Sequence, residues 1–164
     1  MALTTSEAWW FLPFVLPICF YVAFTDLREM RITNQAVLVL AGIFLIVGLF
    51  VLPLPVYGAR VLQMIVVLII GILLNAGGAI GAGDAKFAAA AAPLIAPGDL
   101  RLLLALFAAN LLAAFVTHRL VKYTPLRQIA PNWQSWDMGW KFPMGLSLGG
   151  TLALYLILGT QFGS

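Results

Sequence analysis

Six apolar stretches, separated by short polar or proline- and glycine-rich breaks, account for most of this chain. They cover residues 8–25, 34–52, 59–75, 85–96, 100–117 and 142–158. A helix crossing a bilayer needs roughly 20 such residues, and five of the six stretches approach that length. Of the 164 residues 63% are hydrophobic and only 9% charged, against about 45–50% and about 25% in an ordinary soluble domain. A small soluble fold keeps too much surface to hide that apolar content. The solvent for most of this surface is therefore lipid. The expected fold is all-α, a polytopic membrane helical bundle of about six transmembrane helices, one of them short, forming a single membrane-embedded domain over residues 1–164.

The breaks organise the bundle. Trp9 and Trp10 open the first stretch as an interfacial belt. Residues 1–7 carry no Lys or Arg, so the first stretch reads as a retained span rather than a cleaved signal. That span ends at the charge-dense run from Asp26 to Arg31. Thr33 or Asn34 is placed to cap the second, Pro53 and Pro55 end it, and the third dissolves into the glycines at 77–83. The fourth is short: a dozen residues at about 1.5 Å each cover roughly 18 Å, against a hydrocarbon core near 30 Å. Either the bilayer thins there or Asp84 sits on a recessed helix. No internal repeat is visible, which counts against a transporter built from inverted halves.

Lys and Arg set the expected orientation. Arg28, Arg31, Lys86, Arg119, Lys122, Arg127 and Lys141 fall in loops on one side, with only Arg60 and Arg101 opposite. The excess of basic residues marks the cytoplasmic side. The N-terminus is then extracytoplasmic, and Asp26 and Asp84 share the cytoplasmic face. The net charge of +3 is read as this orientation signal, with no basic, aromatic-interleaved cluster for nucleic acid. The single cysteine, Cys19, can form neither an internal disulfide nor a Cys-rich zinc site, and reads as a small buried hydrophobe.

Ionisable groups beside a membrane interior are costly and are commonly functional. Asp26 leaves one apolar stretch and Asp84 enters another, directly after Gly81-Ala82-Gly83. Each alone also fits a helix end, and Asp84 fits a cap or first-turn acid. The glycines remove side chains where the backbone nears Asp84, leaving room for an extended peptide. No Gly-Lys-Ser/Thr follows, so a phosphate loop is disfavoured. The alanines at 88–92 suit close helix packing. His118, beside Arg119 and Lys122, reads as a helix-end group rather than a member of a triad or metal set. Two carboxylates in one site can hydrolyse a peptide bond without metal or cofactor, by sharing one proton. Which of the two holds that proton is left open.

Gly81-Ala82-Gly83-Asp84, followed by Lys86, resembles the GxGD motif of the type IV prepilin peptidases. Asp26, with Ile32 and Asn34 beyond it, is similar to that family's first motif, Thr33 standing where proline is frequent. Phe142-Pro143-Met144-Gly145 is similar to its closing Pro-aromatic-Gly element, Met144 taking the aromatic place. The three elements occur in order, each at the end of an apolar stretch, and the resemblance covers essentially the whole chain. It implies an aspartic endopeptidase of a bacterial cytoplasmic (inner) membrane, with Asp26 and Asp84 catalytic. Gly81, Gly83, Lys86, Asn34, Pro143 and Gly145 support the site or the substrate.

The implied substrate is a prepilin, a basic leader followed by an apolar helix, cut at the cytoplasmic membrane surface. Larger members carry a cytoplasmic insertion, often with paired CxxC zinc ligands, associated with N-methylation. Here that loop is residues 27–33 only, so the chain resembles the small peptidase-only form serving Tad/Flp-type pili, and methyltransferase activity is not expected. Lys86 either favours the ionised form of the pair or anchors at the interface. Glu29 attracts the leader or is a solvated loop charge. Asn75 and Asn110 are expected to bond between helices. The tryptophan-rich segment 133–140 is expected to lie along the interface. The rival classes are a proton- or ion-coupled transporter and a non-catalytic subunit of a pilus or secretion assembly. Neither the pilin nor an oligomeric state is legible.

Overall fold

The computed structural model describes residues 1–139 and 142–164; Trp140 and Lys141, which figure in the expected interfacial segment and in the count of basic residues, lie outside the described residues. The described chain forms six α-helices and no strand: α1 Thr5–Glu29, α2 Asn34–Val51, α3 Leu54–Ala76, α4 Ala82–Ala91, α5 Leu100–Lys122 and α6 Met144–Phe162. All but α4 are long and apolar enough to cross a membrane. Large apolar side chains such as Leu62, Leu73, Leu104 and Leu112 are more than half exposed. In water that surface would aggregate; in a bilayer it is the lipid-facing side.

Helix boundaries follow local chemistry. Thr4 Oγ1 accepts the Glu7 N–H while Glu7 reaches back to the Thr4 N–H, a capping box that starts α1. Pro13 and Pro17 lie within α1, tolerable where neighbouring helices enclose the freed carbonyls. α1 runs past Thr25 to Glu29, and Met30, in the left-handed region at φ 53°, closes it. Asp26 therefore occupies the last turn of a helix rather than the loop beyond one. Thr33 Oγ1 accepts from the Ala36 N–H and caps α2 as expected. α3 starts at Leu54, five residues before the expected boundary, because proline in a first turn lacks only an N–H that has no helical partner anyway. This moves Arg60 out of the expected loop and into a helix, where it is 5% exposed.

The stretch containing α4 reaches from one end of the bundle to the other. Asp84 opens on the same cavity as Asp26, at the C-terminal end of α1. Asp99 accepts from the Ala2 and Leu3 N–H groups at its N-terminal end, at 2.7 and 2.9 Å. The ten residues of α4 rise only about 15 Å. A 3-10 turn, Ala92–Leu94, and an extended Ile95 and Ala96 cover the rest. Residues 91–96 are buried, so a broken helix there needs other partners for its backbone. Gln63 Nε2 donates to Ala92 O at 2.8 Å, and the Arg60 guanidinium donates to Ile95 O. The Ala96 N–H donates to Tyr155 Oη at 3.0 Å, and that hydroxyl donates to Asp99 at 2.8 Å. The short fourth stretch is thus a helix with its last turn unwound inside the protein.

α1 packs most extensively on α6, and small residues allow the approach. A Cβ at Gly149 would fall 2.8 Å from Cys19 O. Cys19 is a free, buried thiol, as expected. α4 lies against α3 where Gly71 meets Ala85, and Asn110 Nδ2 joins α5 to α6 through Ser147 O at 2.8 Å. The Asn75 amide instead bonds Ile80 O, two residues beyond the Gly77-Gly78 turn that closes α3, rather than another helix.

Candidate active site

Three helix ends meet at one face. The last turn of α1 presents Asp26, the first turn of α4 presents Asp84, and α6 begins beside them. Asp26 is buried, at 6% exposure. The Gly145 N–H donates to its Oδ2 at 2.6 Å, and a Cβ at Gly145 would lie 2.8 Å from Asp26 Cβ and 3.0 Å from Oδ2. Pro143, fully buried, sets the start of that helix. The unpaired N–H groups and the positive end of a helix dipole favour an anion there.

The glycines before Asp84 serve the protein's own atoms. A Cβ at Gly81 would sit 2.7 Å from Asp84 Oδ2, and one at Gly83 would sit 3.3 Å from Ile32 Cβ in the turn between α1 and α2. Gly81 makes room for the carboxylate, and Gly83 lets α4 approach that turn. Burial pushes the Asp84 carboxyl above its ordinary range, and the Gly81 amide opposes the shift. Both carboxyl groups open on one cavity of about 780 Å3, walled by Arg31, Ile32, Phe142, Met144 and the backbone of residues 78–83.

The remaining expected residues separate. Lys86 Nζ donates to Asn34 Oδ1 at 3.0 Å, tying α4 to α2; among the described residues it forms no ion pair with either aspartate. Glu29 pairs with Arg31 at 3.0 Å and Arg28 at 3.9 Å, exposed contacts of little energetic weight. His118 does not lie at a helix end: α5 continues to Lys122, and the imidazole is buried, stacked on Trp136 at 4.8 Å and edge-on to Phe142 at 5.8 Å. Trp133 meets Phe24 of α1, Trp136 is buried, and its Nε1 donates to Ala130 O. The tryptophan segment, in its described part, packs against the bundle. Among the described residues no three His, Cys, Asp or Glu side chains are placed to hold a metal ion.

Sequence reasoning missed the cavity walls and the remote polar cluster of Arg60, Asp99 and Tyr155. Arg60 reads as a loop cation, although it stands alone at the start of an apolar stretch; Arg31 reads only as part of the charge-dense run, and Phe142 only as the first residue of the closing motif.

Residues 13–118 match the sequence model of the type IV leader peptidase family, a span that takes in both aspartates and all of α2, α3 and α4. No curated protein matches the chain, and no solved structure does.

Proposed function

The chain belongs to the type IV leader peptidase family, and from that premise we propose that it is an aspartic endopeptidase using Asp26 and Asp84 as a catalytic pair. The observation that carries this reading is the single cavity onto which both carboxyl groups open, each held at the end of a different helix.

Brought together on one scissile bond, two carboxyls do not both ionise readily, so the pair holds one proton between them. The ionised member takes a proton from a water as that water adds to the scissile carbonyl carbon. The protonated member gives its proton to the carbonyl oxygen, forming a tetrahedral diol. The C–N bond then breaks as the nitrogen takes a proton from the pair, and the remaining hydroxyl proton returns to it. Gly145 holds Asp26 in place through its N–H, and Gly81, without a Cβ, lets the Asp84 carboxyl lie against its backbone.

The proposed substrate is a type IV prepilin of the Tad/Flp kind, with a basic leader and an apolar helix. The short connection between α1 and α2 supports the peptidase-only form, without methyl transfer. Arg28, Arg31, Lys86, Arg119, Lys122 and Arg127 cluster at the end of the bundle that holds the two aspartates, while Arg60 and Arg101 lie toward the other. This distribution supports a cytoplasmic position for the site in a bacterial inner membrane. The test is cleavage of a co-reconstituted prepilin. Asp26→Asn and Asp84→Asn should each insert normally and cut nothing; full activity in either would remove the assignment.

A further inference from the structure

Resting on the peptidase reading, we infer that the apolar helix of the substrate seats in the groove between α4 and α5, floored by α6, directly below the carboxyl pair. The groove encloses about 290 Å3 and is lined by Ala88, Ala92, Leu104, Phe107, Leu148 and Gln63, among others. Its two long walls continue those of the aspartate cavity. On one side the line runs from Asp84 to Ala88 on α4 and on to Ala92 in the 3-10 turn that follows, and on α6 from Met144 to Leu148 and Leu152, at four-residue steps that keep to one helix face. A peptide held at the carboxyls and continuing as a helix therefore runs into this groove.

The gap exists because α5 packs on α6 and stands away from α4, to which the turn at Asp99 joins it. Leu100 and Leu104 at its rim are more than half exposed, so a guest enters sideways from lipid. Alanine on α4 admits a helix closely, as small residues do in membrane contacts. One polar atom points to the occupant. Gln63 Nε2 is used by Ala92 O and Ile95 O, but among the described residues its buried Oε1 accepts from nothing. A hydroxyl or amide on a guest helix can supply that donor; a lipid acyl chain has none. On the other flank of α4 a second groove of about 450 Å3 lies between α2 and α3. There the Lys86–Asn34 hydrogen bond crosses the end nearest the aspartates, barring a continuous path.

The experiment places the photo-crosslinking residue benzoylphenylalanine at Leu104, in the inferred groove, or at Leu38, in the barred one. Full-length precursor is co-reconstituted with each in vesicles of a phosphatidylethanolamine and phosphatidylglycerol mixture. Capture of the precursor's apolar helix from position 104 and not from position 38 is expected. Capture from 38 alone, from both equally, or of lipid only would overturn the inference. Ala88→Leu supplies a second readout. It should cut kcat/KM for the full precursor by about tenfold or more, the scale on which an apolar pocket rejects extra bulk. A soluble peptide ending shortly after the scissile bond should be cleaved almost as before. Equal losses on both substrates, or none on either, would count against the groove. Cleavage by the unsubstituted protein separates the two ideas: its absence refutes the peptidase reading and with it the groove, whereas normal cleavage with capture from position 38 refutes the groove alone.

Discussion

The Gly145 N–H donates to Asp26 Oδ2 at 2.6 Å, joining the last turn of α1 to the first turn of α6. The bond aims a buried carboxylate with a backbone donor rather than a flexible side chain, so Asp26 is ordered before any substrate arrives. It also explains a glycine at position 145, since any Cβ there would overlap the carboxylate it serves.

Gly145→Ala should therefore leave a folded, inserted protein with a displaced Asp26. A shift of about 1 Å can cost on the order of a hundredfold in rate, and a loss of that order in kcat/KM for prepilin cleavage is expected. Wild-type kinetics in this variant would show that the hydrogen bond has no part in catalysis.

A glycine series ranks the close contacts. Gly81→Ala, at 2.7 Å from Asp84 Oδ2, should impair cleavage more than Gly83→Ala, at 3.3 Å from Ile32 Cβ. Gly42→Ala, with open space around it, should keep full activity and gain up to about 1 kcal/mol from helix propensity. Cleavage assays and thermal unfolding in detergent read both effects, and equal activity across the three variants would contradict the account.

Asp84 links stability to pH. Burial raises its folded-state pKa, so its contribution to stability is complete below the unfolded carboxyl value and is lost as pH rises through the folded one. Asp84→Asn, which carries no charge at any pH, should unfold at a higher temperature than the parent near neutrality. The advantage should vanish in acid. A constant offset between the two proteins at every pH would contradict the burial argument.

Tyr155→Phe tests the far end of the bundle. It removes the acceptor of the Ala96 N–H and one donor to Asp99, which keeps the Ala2 and Leu3 N–H groups, so the buried Ala96 N–H is left unpaired at about 1–3 kcal/mol. Unfolding should come earlier, while the pH profile of cleavage by the folded fraction stays where it was. A shifted profile would mean that this cluster communicates with the aspartates.

Most of the architecture was legible because apolar length and capping are local properties. Thr33, one of the two residues expected to cap α2, does so, and Asp84 lies in a first helical turn behind its glycines. Errors arose where a local signal has two readings. Pro55 reads equally as a stop or as a first-turn residue, and the second holds. Arg60 and Asp99 looked like loop charges, yet Arg60 supports a buried helix break and Asp99 anchors the N-terminal backbone. No periodicity reveals such a break, because the partners that make it tolerable come from α3 and α6. At the candidate site, the aspartates and glycines were singled out by the motifs that carry them. That Gly145 faces Asp26 and Lys86 faces Asn34 is tertiary information.

The most direct test of a shared carboxyl pair is non-additivity. Single-turnover cleavage of a prepilin by Asp26→Asn, by Asp84→Asn and by the double variant should fall to one common background, because losing either member already abolishes the unit. If one single variant retains a substantial rate that the second substitution then removes, the two carboxyls act separately and the paired mechanism is wrong.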